Sequence, residues 1–228
     1  VKSRCIFEYI YFARTDSIID GQSVYSSRVR AGSILAEKYP VDADLVIGVP
    51  ESGLAAAVGY SQGSNIPYGM AFYKNSYVGR TFIKPKQNER TAGVQAKLNV
   101  IRDVVKGKRV VMVDDSIVRG TTIRNIVKML KDAGALEVHV RISSPPFKHP
   151  CYYGTDVPSS ENLVAVNNTI DEIKESINAD SLGFLDIEDL GQLCPGLDYC
   201  DACFTGKYAG GIPSDPSKTN SCSSKIVL

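Results

Sequence analysis

The residues best equipped for chemistry sit in one stretch, VVMVDDSIVRGTT, Val110 to Thr122. Four apolar residues run into two adjacent carboxylates, Asp114 and Asp115, and a loop of hydroxyls and glycine follows. Two like charges about 5 Å apart, at an effective dielectric of about 20, repel by about 3 kcal/mol. A divalent cation, or a sugar diol donating hydrogen bonds, would offset that repulsion. Ser116, Thr121 and Thr122 supply hydroxyls, and Gly120 allows a tight turn and the close approach of an anion. The helix expected to begin near Thr122 turns its positive end toward the same loop. One element thus offers a pocket for a polyol or cation beside a pocket for a phosphate. A ribose 5-phosphate carrying a metal-bound group requires this combination. An acidic strand end followed by an ordinary capped helix is the plainer alternative. The pattern is neither a Walker loop, which needs Gly-Lys-Ser/Thr, nor the dinucleotide GxGxxG fingerprint.

Such residues need a frame, and the flanking sequence provides one. KRVVMVDD reads as a buried strand that ends at the Asp pair. TTIRNIVKMLKDAGA reads as an amphipathic helix in which Ile123, Ile126, Val127 and Leu130 share a face and Gly134 closes the end. DLVIGVP is expected to be a strand over Leu45 to Val49, followed by ESGLAAAVGYSQG, a loop turning into a helix that stops near Gly63. SVYSSRVRAGSILAEKYP carries apolar residues near helical period with Pro40 beyond its end. PYGMAFY and LEVHVRIS are further strand candidates, and Thr169 with Glu172 forms a capping box for a helix through Ile177. This alternation implies an α/β fold, a mostly parallel sheet flanked by helices. Ligands of such sheets bind beyond the carboxyl ends of the strands, where both PESG and DDSIVRGTT lie. Lys74 to Lys97 is a long polar, basic stretch, a loop length usually tied to function. The tail from Gly210, rich in Gly, Pro and Ser, is expected to be disordered.

Composition narrows the function classes. The chain has 228 residues, 43% of them hydrophobic, enough for a sizeable core. A net charge of +1 argues against a general nucleic-acid or membrane-surface binder. No apolar run approaches the roughly 20 residues of a spanning helix. The start, VKSRCIFEYIYFAR, does not read as a signal peptide, since charges come early and Glu8 interrupts the apolar stretch. Of six cysteines, Cys5 and Cys151 stand alone, Cys194, Cys200 and Cys203 cluster, and Cys222 lies in the tail. That distribution points to metal more than to disulfides.

VVMVDDSIVRGTT resembles the phosphoribosyl pyrophosphate (PRPP) binding motif of the type I phosphoribosyltransferases. With VIGVPESG, YKNSYVGRTFIKP, KLNVIRDVVKGKRVVMVDDSIVRGTT and ISSPPFKHPCYYGTD, the chain is similar to the amidophosphoribosyltransferase family, the glutamine–PRPP amidotransferases of purine synthesis, from about Cys5 to about Phe204. The resemblance implies a type I phosphoribosyltransferase-like fold with a C-terminal cysteine-bearing segment. We divide the chain accordingly into an N-terminal segment 1–20, a core 21–160, a helical and cluster-binding segment 161–208, and a tail 209–228. It implies that Asp114 and Asp115 contact ribose hydroxyls and Mg2+, and that Ser116, Arg119, Gly120, Thr121 and Thr122 form the phosphate loop. Glu51, Ser52 and Gly53 match the pyrophosphate loop, with Ser52 at a magnesium contact and Glu51 where the family often has Asp. YKNSYVGRTFIKPKQNERTAGVQAKLN matches a flexible loop that closes over PRPP, giving Lys74, Arg80, Lys84 and Lys97 as pyrophosphate partners. For any one of these four a solvated basic loop is the alternative. The implied reaction is attack of ammonia at the anomeric carbon, yielding 5-phosphoribosylamine and pyrophosphate, the first step of de novo purine biosynthesis. A leaving group so charged calls for cations rather than a strong base, and loop closure would exclude water. The resemblance further implies purine nucleotides as inhibitors, a homo-oligomer, and a cytoplasmic or plastid setting.

Two points depart from a simple match. The resemblance implies an N-terminal glutaminase domain built on a cysteine nucleophile in the family; since Cys5 already matches the PRPP part, that domain is not expected among these residues. The expectation is therefore use of free ammonia without glutamine hydrolysis. One branch of the family carries a [4Fe–4S] cluster, and its four cysteines match Cys5, Cys151, Cys200 and Cys203. A tetrahedral zinc would satisfy the same ligands. Cys194 and Cys222 are left without a role. A salvage phosphoribosyltransferase, a PRPP-sensing regulator and a catalytically inactive domain are the competing readings; the balanced charge and lack of a basic arm count against the regulator.

Overall fold

The computed structural model describes residues 3–74, 98–155, 157, 159–161 and 163–212. In chain order, β1 (Arg4–Cys5) leads into a single π-helical turn, Glu8–Phe12, and a small antiparallel pair, β2 (Ile18–Ile19) with β3 (Gln22–Ser23). Helix α1 (Val24–Lys38) follows, then β4 (Leu45–Gly48), α2 (Gly53–Ser64), β5 (Phe72–Lys74), β6 (Leu98–Val100) and α3 (Arg102–Val105). The second half runs β7 (Arg109–Asp114), α4 (Thr121–Asp132), β8 (Glu137–Ile142), α5 (Val164–Asn167), α6 (Ile170–Ser176), β9 (Ser181–Phe184), α7 (Leu190–Leu193), β10 (Tyr199–Cys200) and α8 (Ala202–Thr205).

Four strands make one parallel sheet in the order β4–β7–β8–β9. Side chains alternate across a strand, and the two faces of this sheet feed two separate cores. Val46, Val111 and Val113 point into one, with Ala31, Leu35, Ala56 and Tyr60 of α1 and α2. Leu45, Ile47, Val110, Met112, Val138, Val140 and Ile142 point into the other, with Ile123, Ile126, Val127 and Leu130 of α4 and Ile173 of α6. Both faces being covered explains why these strands read as continuous apolar runs. The N- and C-terminal segments join the α1–α2 side: Ile6, Phe7 and Ile10 share its core with Leu190, Cys203 and Phe204.

The expected elements form close to where the sequence puts them. Ser23 caps α1 by accepting from the Ser26 N–H, and Thr169 and Glu172 form the capping box of α6. The strand expected over 67–73 is displaced: β5 begins only at Phe72, and Tyr68 makes one isolated parallel bridge to Val46. Pro67 has no N–H to donate, so its contribution is a carbonyl that accepts from the Val46 N–H. Within the segment expected to be disordered, residues 210–212 are described and Gly211 accepts from the Tyr153 hydroxyl; 213–228 lie outside the described residues.

What matters for a site is that β4 and β7 are neighbours in register, Gly48 opposite Val113, with the Val49 N–H donating to the Val113 carbonyl at 2.9 Å. The loops PESG and DDSIVRGTT therefore leave the sheet side by side. Gly53 makes that closeness possible: a Cβ there would lie 2.5 Å from the Val113 carbonyl oxygen and 3.2 Å from the Asp114 Cα.

Candidate active site

The buried end of β7 delivers Asp114 and Asp115 at 8% and 7% exposure. Asp114 Oδ1 accepts the Asp115 N–H at 2.9 Å, and the Asp114 carbonyl accepts the Ser143 N–H at 2.9 Å, so the strand end is fixed from the β8 side. Asp115 accepts from two hydroxyls, Ser52 Oγ at 2.6 Å on one oxygen and Ser116 Oγ on the other. Among the described residues neither carboxylate has an ion-pair partner. Burial first, and the neighbouring Asp115 charge second, push the Asp114 carboxyl well above the usual carboxylate range. The repulsion expected from the sequence is thus present in the fold, with no described cation in contact with either carboxylate and only Arg28 acting on Asp115 from longer range.

Ser52 stands at the N-cap of α2, where a serine normally bonds a first-turn N–H. Its side chain makes no such bond and turns to Asp115 instead. Helix α4 also begins without a side-chain cap: Gly120, at φ +78°, occupies its N-cap. Only glycine adopts that conformation without steric cost. Two helix N-termini with first-turn N–H groups free of side-chain caps thus flank the Asp pair, an arrangement suited to two anionic groups. Thr121, Thr122 and Arg119 are exposed on the α4 side and Ser116 is half-buried. On the α2 side the Pro50–Glu51 peptide is cis, and Lys74, at the end of β5, reaches the Glu51 carboxylate at 3.1 Å. Both partners of that pair are exposed, so it adds little to stability.

The structure therefore brings Glu51, Ser52, Gly53, Lys74, Asp114, Asp115 and Ser116 together, with Arg119, Gly120, Thr121 and Thr122 along the next turn. Arg80, Lys84 and Lys97 lie outside the described residues. A cavity of ≈580 Å3 opens against the Pro50–Ser52 loop and Lys74; its other wall is Tyr11–Asp16, with Arg28 of α1 behind. This wall escaped the reading of the sequence, which gave residues 1–20 only a cluster cysteine. One signal was legible: Arg28 shares a helical stripe with Val24, Ala31 and Leu35, all of them buried, an unusual place for a charge.

The four matched cysteines also draw together from three parts of the chain. β1 and β10 pair in parallel with Cys5 opposite Cys200. Lys148 and His149 donate their N–H groups to the Cys203 carbonyl, each at 3.1 Å. Burial pushes the Cys5 thiol up to about 11, with Cys151 and Cys200 adding to the effect. Cys203 is raised by burial and then by Cys5, Cys151 and Cys200. At Cys151 burial acts the same way but is outweighed by N–H groups of residues 153–155, which lower it. The thiols thus lie within electrostatic reach of one another, and none is in a disulfide. No group of three or more His, Cys, Asp or Glu among the described residues is arranged as it would be around a single metal ion. Cys194 is buried apart from this set, and Cys222 lies outside the described residues.

A family model described as phosphoribosyl transferase domain matches residues 24–152. The chain is 54% identical over 212 residues to the amidophosphoribosyltransferase of Synechocystis sp., covering 92% of this chain and 43% of that one. It is 53% identical over 221 residues to that of Bacillus subtilis, covering 94% and 46%. A solved structure described as glutamine PRPP amidotransferase from B. subtilis complexed with ADP and GMP superposes with a TM-score of 0.83 at 54% identity, covering 91% of this chain and 47% of that one. The chain spans about half the length of the curated relatives it matches. The parallel sheet between two helical layers is the type I phosphoribosyltransferase fold, and the resemblance read from the motifs is borne out. Both strand-end loops fall inside the matched residues, and by that match the chain belongs to the phosphoribosyltransferase family.

Proposed function

We propose that this chain forms a C–N bond at the anomeric carbon of PRPP, with ammonia as nucleophile and pyrophosphate as leaving group, the reaction named by its amidophosphoribosyltransferase relatives. The observation that carries this reading is the Ser52–Asp115 hydrogen bond, which ties two uncapped helix N-termini and a buried carboxylate pair into one site. The start of α4, with Ser116, Gly120, Thr121 and Thr122, suits the 5-phosphate. The Glu51–Gly53 loop at the start of α2, with Lys74, suits the pyrophosphate. Asp114 and Asp115 lie between them, where ribose hydroxyls can donate. Two buried carboxylates and a serine hydroxyl are hard oxygen donors that fit Mg2+. When bound, that ion would neutralise charge on the departing pyrophosphate. No side chain acts as nucleophile: the carbon–oxygen bond to pyrophosphate breaks as the carbon–nitrogen bond forms, and the nitrogen gives up a proton to solvent. The chain's own contribution is orientation and a preorganised field. A purine nucleotide, through its 5′-phosphate, would compete for the α4 end.

The cysteine set supports a [4Fe–4S] cluster of structural role on Cys5, Cys151, Cys200 and Cys203, one thiolate per iron. Zinc on the same thiolates is the rival. Iron with matching acid-labile sulfide in anaerobically purified protein would support the cluster, and zinc alone would overturn it.

The test of the activity is pyrophosphate release from PRPP and Mg2+, with ammonium chloride and separately with glutamine. Release with ammonium, abolished in Asp114→Asn while AMP and GMP slow the unsubstituted chain, is the expected result. No release by the folded chain with either donor would sink the enzyme reading. A PRPP titration would then separate a sensing site from an inactive one.

A further inference from the structure

Three cations line the cavity beside the Pro50–Ser52 loop: Arg14, Arg28 and Lys74. Arg14 pairs with Asp16 at 2.8 Å and Lys74 with Glu51 at 3.1 Å, and these four side chains are exposed. Arg28 differs on both counts. It is 3% exposed, and no carboxylate lies within hydrogen-bond reach of it among the described residues. Its guanidinium donates instead to neutral acceptors: Nε to the Tyr9 carbonyl at 3.0 Å, Nη1 to the Thr15 hydroxyl at 3.0 Å, and Nη2 to the Tyr11 and Ala13 carbonyls at 3.0 and 2.8 Å. Buried arginines are ordinarily paired. This one spends its donors on three backbone carbonyls and one hydroxyl of a short segment, and its charge is met only at longer range by Asp115.

The acceptors explain the arrangement. The π-helical turn Glu8–Phe12 ends at Ala13, and carbonyls at such an end lack intrahelical partners. A planar fork with five N–H donors can gather several of them at once; a lysine ammonium cannot do so in the same geometry. The segment gathered, Tyr11–Thr15, is the cavity wall facing Glu51 and Ser52. Neutral acceptors hold the guanidinium without cancelling its charge, so a positive field remains in a water-poor region, where it acts strongly on an anion.

We propose that Arg28 is the positioning residue of the pyrophosphate end of the site: it fixes the Tyr11–Thr15 wall opposite the Glu51–Ser52 loop and supplies the buried positive charge, free of a contacting carboxylate, toward which the leaving group is drawn. This rests on the function proposed above, and its test is chosen to separate the two. Two ligands probe the two ends: magnesium pyrophosphate for the α2 end and ribose 5-phosphate for the α4 end. In Arg28→Lys we expect magnesium pyrophosphate to bind about tenfold more weakly, the loss of one strong hydrogen-bonded contact. Arg28→Met, which also removes the charge, should weaken it further. Ribose 5-phosphate should stay within about twofold in both variants. Amide hydrogen exchange should quicken over residues 9–15 and stay slow in β7 and α1.

General destabilisation would weaken both ligands together, so equal losses would overturn the proposal. Unchanged pyrophosphate binding, or unchanged exchange over 9–15, would also overturn it. If Arg28→Met does not fold, Thr15→Val serves: it keeps the charge and the three carbonyls, and should weaken pyrophosphate about threefold with ribose 5-phosphate unaffected. Should the unsubstituted chain bind neither ligand, the functional reading falls first and this inference with it.

Discussion

Asp114 sets binding against stability. Its carboxyl is buried, accepts one backbone N–H and faces the charge of Asp115. The folded chain therefore holds the proton more tightly than the unfolded chain, and stability declines as pH rises from about 4 through the raised value. Asp114→Asn keeps an acceptor for the Asp115 N–H and removes the charge. We expect it to raise stability by on the order of 1 kcal/mol while PRPP turnover is lost, a trade common at functional sites; thermal melts beside the pyrophosphate assay would show both. Ser52→Ala removes the 2.6 Å bond to Asp115. Hydrogen bonds to charged groups contribute about 1.5–3 kcal/mol, so we expect kcat/KM to fall roughly 10- to 100-fold and the melting temperature to drop by several degrees. A variant with full activity would remove the observation on which the proposed function stands.

At the scale of elements, the site depends on how closely helices approach the sheet and each other. Helices α1 and α2 touch backbone to backbone: a Cβ at Gly32 would lie 1.8 Å from the Ala56 carbonyl oxygen, and one at Gly59 would lie 1.9 Å from that of Val29. These atoms are backbone and cannot swing aside. Gly32→Ala must wedge α1 off α2, and we expect a loss of about 3 kcal/mol or more, at or beyond the upper end for overpacking, read by denaturant titration. Because α2 carries Ser52 and α1 carries Arg28, that wedge should also weaken pyrophosphate binding. Strand identity was legible at this scale because the apolar runs are continuous. The late start of β5 was less so, since PYGMAFY is apolar enough for a strand and only the missing Pro67 N–H counts against its first residues.

Across the whole molecule, two cores lock the sheet from both sides, and the β8–β9 pair holds a titratable group of its own. His139 on β8 is buried, with Nε2 2.9 Å from Glu137 and Nδ1 3.0 Å from the Ser181 hydroxyl on β9. Burial holds its pKa below the ordinary value, partly countered by Glu137. The unfolded chain therefore takes up this proton first as pH falls below about 6.5. Stability is intact above that pH and is lost as pH drops through the depressed value. Replacing His139 by Gln should flatten this slope in melts between about pH 5 and 7; an unchanged slope would mean other groups carry it. The same long-range packing joins both terminal segments. Phe7 meets Phe12 of the cavity wall at 5.3 Å and Phe147 edge-on at 5.2 Å, and Phe147 meets Phe204 at 5.1 Å, which links the neighbourhood of Cys5 and Cys203 to that wall.

The sequence by itself determined three of the four sheet strands, the longer helices and the residue chemistry of two loops, because each depends on local period, capping and residue type; β9, Ser181–Phe184, is too short and too polar at its start to show such a period. A carboxylate pair after a buried strand, with glycine and hydroxyls behind it, narrows what could bind there before any fold is known. Tertiary structure alone decided which loops meet. Nothing local to VIGVPESG states that β4 lies beside β7, that Ser52 forgoes its own helix to bond Asp115 sixty-three positions on, or that residues 11–16 form the opposite wall. Those facts come from strand order and from packing between distant segments, where the free energy depends on non-local burial that no short window contains. Arg28 stands between the two cases: its place on an apolar stripe was a signal the reading of the sequence passed over, and only the fold supplied the carbonyls that make sense of its charge.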